Sequence, residues 1–321
     1  MTRVPRRLYM VLSPRSLPYA RLTLASLLRN CTEVLHLHLI TDGDSDKPVL
    51  MEALGAAQPP GSRHRWSVTA ESELADREAD VFGAHANLRA FRHGHPCWRK
   101  VTDPMLVSEP GAELVLLDPD LYFPSVFSFE ETPTRGLLLM WQRPNCLLPA
   151  EVVRAAFNAS VPLARHVDIG VSHWRANADL DWLDWLIGRL GGASLPRIMH
   201  VEAIVWAALA MREGGGYLDP RSWSCWHRTQ VKRLLRKLGV SGVRILQSER
   251  WSEIKCFHAG GEAKWWLPDA ESAGAIQPGQ QHIQPGLVKQ FVELSPRRYE
   301  LEQSAKQMLR NLGYYRFFGA G

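Results

Sequence analysis

Hydrophobic positions along the chain recur with two different periods, and the alternation between them predicts the elements. Leu8 to Leu12 is a short apolar run of strand length, followed by the polar turn Ser13-Pro-Arg-Ser16. From Pro18 to Leu28 the apolar set Leu22, Leu24, Ala25, Leu27 and Leu28 has helical spacing, with proline tolerated in the first turn and Asn30 or Cys31 as the stop. Val34 to Ile40 alternates leucine with His36 and His38, which predicts a strand with one apolar face. Pro48–Ala57 then reads as a helix and Arg65–Thr69 as a third strand. Glu71 to Arg89 reads as a solvated helix with a break at Phe82-Gly83, and Trp98–Val107 as a further helix.

The central stretch differs. Leu114 to Leu117 is apolar without alternation, as in a strand covered on both faces, and it ends abruptly in Asp118-Pro119-Asp120. Beyond it lie a buried strand, Gly136–Trp141, and a helix, Pro149–Phe157. His166 to Trp174 is strand-like and carries Asp168 and Gly170, a small gap that a ligand can approach. Asp181–Leu190 and His200–Met211 are amphipathic helices, and Val231–Leu238 is a basic one, whose cations suit either solvent or anionic lipid. Ile254 to Trp266 places a histidine at a strand end before a glycine turn. Gly286 to Phe318 reads mostly as a charged helix with an aromatic tail of Tyr314, Tyr315, Phe317 and Phe318.

Strands alternating with helices predict an α/β fold, a mostly parallel central sheet with helices on both faces in the Rossmann manner. In such sheets ligands sit beyond the carboxyl ends of the strands. Asp118 and Asp120 stand there, on one side of an extended chain and stiffened by Pro119, and two hard oxygen ligands suit Mn²⁺ or Mg²⁺. Asp42, following the second strand, is placed to accept from a base or ribose, and Lys100 to reach a diphosphate. The 321 residues hold 22% charged and 45% hydrophobic side chains, which excludes disorder. A net charge of +5 suits anionic ligands or an acidic membrane surface and is too small to imply nucleic acid. Five scattered cysteines, with no Cys-x-x-Cys pair, predict a reducing cytoplasm. The His93-Gly-His-Pro-Cys97 segment lacks a partner motif to complete a zinc site. Twelve tryptophans supply stacking faces for sugars as well as core filler.

Taken together, the Asp118-Pro119-Asp120 strand end and His258-Ala-Gly-Gly261-Glu-Ala-Lys264-Trp265-Trp266 resemble the GT-A glycosyltransferases, most closely the glycogenin-like retaining group called family eight. The second segment matches that family's His-x-x-Gly-x-x-Lys-Pro-Trp pattern except that Trp265 replaces proline. The resemblance implies a GT-A-like nucleotide-sugar domain over residues 1–270 and a helical extension over 271–321. It implies Asp118, Asp120 and His258 as metal ligands and Lys264, near Gly261, as the diphosphate partner. Val11 and Leu12, with Asp42, are expected to flank the nucleotide. Two looser matches, Asp168-Ile-Gly-Val171 and Val201-Glu202, nominate Asp168 and Glu202 as acids facing the donor sugar. The expected activity is transfer from a nucleoside-diphosphate sugar, UDP-sugar first, to a glycan, lipid or small-molecule hydroxyl, in the cytoplasm or in peripheral contact with the inner membrane. Two other classes share some of these features. A haloacid-dehalogenase-type phosphatase would use Asp118 as nucleophile, and a sugar-binding module without turnover would use the tryptophans.

Overall fold

In a computed structural model that describes residues 5–314, the chain forms an α/β unit around an eight-stranded sheet. Its strands, in chain order, are β1 (Arg6–Val11), β2 (Leu35–Thr41), β3 (Arg65–Ala70), β4 (Glu113–Leu117), β5 (Leu121–Tyr122), β6 (Leu137–Trp141), β7 (Val167–Arg175), β8 (Gly215–Tyr217), β9 (Trp223–Cys225), β10 (Cys256–His258) and β11 (Lys289–Gln290). The large sheet runs β11-β8-β6-β7-β4-β1-β2-β3, and a second sheet runs β5-β10-β9. Strands β3, β2, β1 and β4 are mutually parallel, β7 is antiparallel to both β4 and β6, and β8 is parallel to β6.

The expected burial on both faces is what the structure has. Leu114 and Leu116 point into one core with Tyr9, Trp174 and Trp206. Val115 and Leu117 point into another with Leu8, Met10 and Leu37. All four β4 side chains from Leu114 to Leu117 are fully buried, which is why this strand lacks alternation. Helix Leu17–Asn30 covers the second core through Leu24, Leu27 and Leu28, and helix Val201–Glu213 covers the first.

The expected helix over 71–89 is divided into Ala75–Phe82 and Ala86–Arg92, with the break at Gly83. The chain from Gly286 departs from the expected helix. It stays extended through Ser295, adds β11 antiparallel to β8, and buries Leu294 before the helix Pro296–Asn311 begins. Its Val288-Lys-Gln-Phe-Val292 run carries strand-favouring residues that the neighbouring charges obscure. Of the aromatic tail, Tyr315, Phe317 and Phe318 lie outside the described residues. Among the described residues no helix is long and apolar enough to cross a membrane.

Candidate active site

Because β1, β2 and β4 are parallel, Val11, Asp42 and Asp118 all emerge at one edge of the sheet. Strand β7 runs the other way, so its beginning reaches the same edge: the Asp118 amide donates to the Gly170 carbonyl at 2.8 Å. Asp168 therefore lies beside Asp118 although fifty residues separate them in sequence. Thr23, buried in the first helix, donates its hydroxyl toward the carbonyls of Pro119 (2.7 Å) and Leu121 (2.6 Å) and so pins the Asp118-to-Leu121 turn.

The small sheet delivers the rest. Strand β10 pairs with β5, with His258 opposite Leu121, and the Ala259 amide donates to the Asp120 carbonyl at 2.9 Å. The His258 imidazole thereby enters the space between the acids. Its Nε2 lies 3.2 Å from Asp120 Oδ1 and 3.8 Å from Asp118 Oδ2, and its Nδ1 lies 2.8 Å from Asp168 Oδ1. Gly170 makes room for the ring, since a Cβ there would lie 2.6 Å from His258 Nδ1. The gap expected to admit a ligand is filled by His258.

Asp118, Asp120 and His258 each offer a ligand atom within 4.8 Å of the others. Two carboxylates with one imidazole form a donor set that fits a divalent ion such as Mn²⁺, with positions left for ligand oxygens. The charge pattern supports the fit. Burial alone would push the His258 imidazole down, but Asp168 and Asp120 hold its pKa well above 6.5, so an imidazolium supplies positive charge between the acids. Burial would raise Asp120, and His258 with Lys264 instead depresses it. Lys264 Nζ lies 3.3 Å from Asp120 Oδ2 and 4.6 Å from the centre of the Tyr19 ring.

Lys100, expected to reach a diphosphate, is held by two acids at the cleft wall. It is 7% exposed, and its Nζ lies 2.8 Å from Asp118 Oδ1 and 3.1 Å from Glu202 Oε2. Its charge is thus already committed to two acids. Glu202, 1% exposed, also accepts from Trp206 Nε1 at 3.2 Å. Burial pushes the Glu202 carboxyl up to about 8 even with Lys100 pulling it down, because one buried cation serves two buried acids.

A cleft of about 290 Å³ opens over this cluster, lined by Val11, Ser13, Arg15, Tyr19, Asp42, Lys100, Asp118, Asp120 and Lys264, among others. Leu12 does not reach it. Its side chain is 1% exposed and turns into the core, one residue beyond the one that faces the cleft. Asp42 reaches it while pairing with Arg99. Gly261 adopts φ +64°, the left-handed turn that carries the chain from His258 toward Lys264, and its contribution is backbone shape. Two neighbours had no signal in the sequence, Tyr19 beneath Lys264 and Cys225 beside Asp168 and His258, while Cys97, noted only as the end of the His93-to-Cys97 segment, lies in the cleft wall. His93 pairs with Glu71 and Glu78 and belongs to no metal-like cluster among the described residues.

No family model and no curated protein matches the chain. Solved structures do. Mouse xyloside xylosyltransferase 1, in its apo form, aligns with a TM-score of 0.51 at 13% identity, covering 81% of this chain and 98% of that one. The galactosyltransferase LgtC, solved in complex with donor and acceptor sugar analogs, aligns at 0.44 and 10% identity over 84% of this chain and 92% of its own. Core-mannan synthase A from Aspergillus fumigatus, in an Mn/GDP form, aligns at 0.42 and 12% identity over 65% and 70%. The mouse enzyme shows that the chain has the GT-A-type fold that the resemblance implied.

Proposed function

We propose that the protein is a metal-dependent glycosyltransferase that moves a sugar from a nucleoside-diphosphate donor to an acceptor hydroxyl. One observation carries this reading: Asp118, Asp120 and His258, distant in sequence, converge within 4.8 Å beside Lys264 at the floor of a cleft. Breaking the bond between an anomeric carbon and a diphosphate leaves negative charge on the departing nucleotide. A divalent ion held by Asp118, Asp120 and His258 would supply Lewis-acid stabilisation of that charge. Lys264, 23% exposed and beside Asp120, would meet the other diphosphate oxygens. Val11 and Asp42 border the nucleotide end of the cleft, and Arg15 adds a cation on the same wall.

Asp168 and Glu202, expected as acids acting on the sugar, take different roles in this reading. Asp168 accepts from His258 Nδ1, which directs Nε2 toward the metal position. Glu202 shares Lys100 with Asp118 and keeps that lysine's charge out of the diphosphate position. Both are positioning residues. The finer assignments, UDP as the nucleotide, Mn²⁺ as the ion, membership of family eight, a glycan, lipid or small-molecule acceptor, a cytoplasmic location and a catalytic unit over 1–270, belong to the same proposal.

Calorimetry with uridine and guanosine diphosphates, with and without Mn²⁺, tests it. Heat that requires both nucleotide and metal and vanishes in Asp120→Ala is expected. Absence of heat with every nucleoside diphosphate overturns the reading.

A further inference from the structure

The basic helix Gln230–Lys237 is docked with the opposite face from the one its composition suggests. Val231, Leu234 and Leu238 fall on one stripe at spacings of three and four, and the cations occupy the other side. A surface helix ordinarily buries the apolar stripe. Here none of its residues is buried, and the stripe faces solvent: Val231 is 66% exposed, Leu234 46% and Leu238 71%. The half-buried Lys232, Arg233 and Leu235 face the protein, while Arg236 and Lys237 are exposed. Lys232 pairs with Glu249 and stands 4.0 Å over the Trp226 ring, and the Arg236 guanidinium stands 4.9 Å over the Trp266 ring. Those indoles pack edge to face at 5.7 Å and form the platform on which the helix sits. The attraction of cations for aromatic faces explains the orientation. It leaves three aliphatic side chains in water, in one patch rather than scattered.

Charge narrows what covers that patch. From Pro220 to Ser248 the chain carries seven Lys and Arg residues, Arg221, Arg228, Lys232, Arg233, Arg236, Lys237 and Arg244, and no Asp or Glu. An apolar stripe within an all-cationic segment is the composition of a helix lying in the headgroup layer of an anionic bilayer. Nucleic acid would match the cations and leave the aliphatic stripe wet.

We infer that the Gln230–Lys237 helix docks the protein on anionic phospholipid, with Val231, Leu234 and Leu238 entering the acyl boundary. The position of the helix bears on the site. The Trp226 amide donates to the His258 carbonyl at 2.8 Å, and Arg228 pairs with Glu262 at 3.1 Å, so the helix leaves from the strand that lies against His258 and leans on the loop that leads to Lys264. Docking there holds the cleft beside the bilayer, where an acceptor hydroxyl on a membrane lipid is within reach. That consequence rests on the proposed activity; the docking itself does not.

Cosedimentation of the full chain with vesicles, with no donor or metal present, tests docking separately from catalysis. With vesicles of about one-third phosphatidylserine in phosphatidylcholine the protein is expected to pellet, less at higher salt, and far less with phosphatidylcholine alone. The V231E/L234E/L238E variant should retain the wild-type melting temperature, because these side chains are exposed, and bind at least about tenfold more weakly. Wild-type protein that stays in the supernatant with anionic vesicles overturns the proposal. So does a variant that binds as tightly as the wild type, or a wild-type dimer that light scattering shows the variant to have lost, with no vesicle binding in either, since the stripe then covers a second copy.

Discussion

Two buried charge networks lie close together in this molecule, and they are built differently. In one, Arg92 is 2% exposed and pairs through its fork with Glu78 and with Asp103, whose Oδ1 lies 2.8 Å from its Nε. Arg99 continues the network to Glu71 at 3.1 Å. In the other, Asp118, Asp120, Asp168 and Glu202 surround His258, Lys100 and Lys264. The first is centred on guanidinium, which is always charged and fixes its partners by planar geometry, with the half-exposed His93 at its rim on Glu71 and Glu78. The second gathers four acids around three cations, one of them a titratable imidazole, and opens on a cleft. A network that only holds helices together has no use for a replaceable cation. A network that receives an ion needs one.

The sharpest way to break that distinction is to neutralise one member of each. Asp120→Asn should abolish metal-dependent nucleotide binding and lower transfer by about 10³-fold or more. The melting temperature should fall modestly, because Asp120 loses its charge pairing with His258 and Lys264 while Asn keeps its shape and the chain stays folded. Arg92→Ala should do the reverse. It leaves Glu78 and Asp103 buried without their partner and should lower stability by about 3–5 kcal/mol, read by urea unfolding. Nucleotide binding by the fraction still folded should be unchanged. If Arg92→Ala removes metal binding from folded protein, or Asp120→Asn unfolds the chain, the two networks are one.

A smaller effect separates the roles within the site. Asp168→Asn keeps an acceptor oxygen for His258 Nδ1 but removes the charge, and should weaken Mn²⁺ binding by about 10- to 100-fold while leaving nucleotide specificity intact. Rescue of most of the affinity by Asp168→Glu is not expected, since Gly170 leaves the ring only the space it now fills. Unchanged Mn²⁺ affinity in Asp168→Asn would remove the positioning role.

How much of this was legible in the sequence follows the range of the contacts involved. Asp118 and Asp120 announce themselves because a local pattern, an unbroken apolar strand ending in acid, is all that places them. The approach of His258 is set by pairing in a separate three-stranded sheet, and periodicity says nothing of it; only the likeness of the His258–Lys264 segment to a family pattern supplied it. Lys100 was placed near the site by its position before β4, but its partners Asp118 and Glu202 lie 18 and 102 residues on, and no spacing rule finds such a pair. Leu12 and Val11 differ by one residue, within the uncertainty of any strand end. For the helix Gln230–Lys237, amphipathicity was plain and the docked face was not, because the indole platform forms only in the folded chain.

The metal-site network also predicts a response to pH. His258 in the metal-free fold holds its proton well above the ordinary imidazole value of 6.5, owing to Asp168 and Asp120 against the opposing effect of burial. A group whose folded pKa is raised contributes stability that is complete below its unfolded pKa and is lost as pH rises through the folded one. Glu202, pushed up to about 8 by burial, adds a slope of the same sign over its own range, from its unfolded value near 4.5 upward. Metal-free protein should therefore lose stability as pH climbs from about 4.5 through about 8 on account of Glu202, and further as it passes the raised His258 value. Metal binding requires the His258 lone pair and so displaces that proton. Mn²⁺ affinity should rise with pH, by up to about tenfold per unit below the His258 pKa, and level off above it. Titrations at several pH values, in buffers of different ionisation enthalpy, should count about one proton released per ion bound. The Arg92 network holds none of the proposed metal ligands, so Asp120→Asn, which ends metal binding, should abolish the rising curve. An Mn²⁺ affinity that is flat with pH in the wild type would mean that His258 is not a ligand, and the cation between the acids would then be structural, like Arg92.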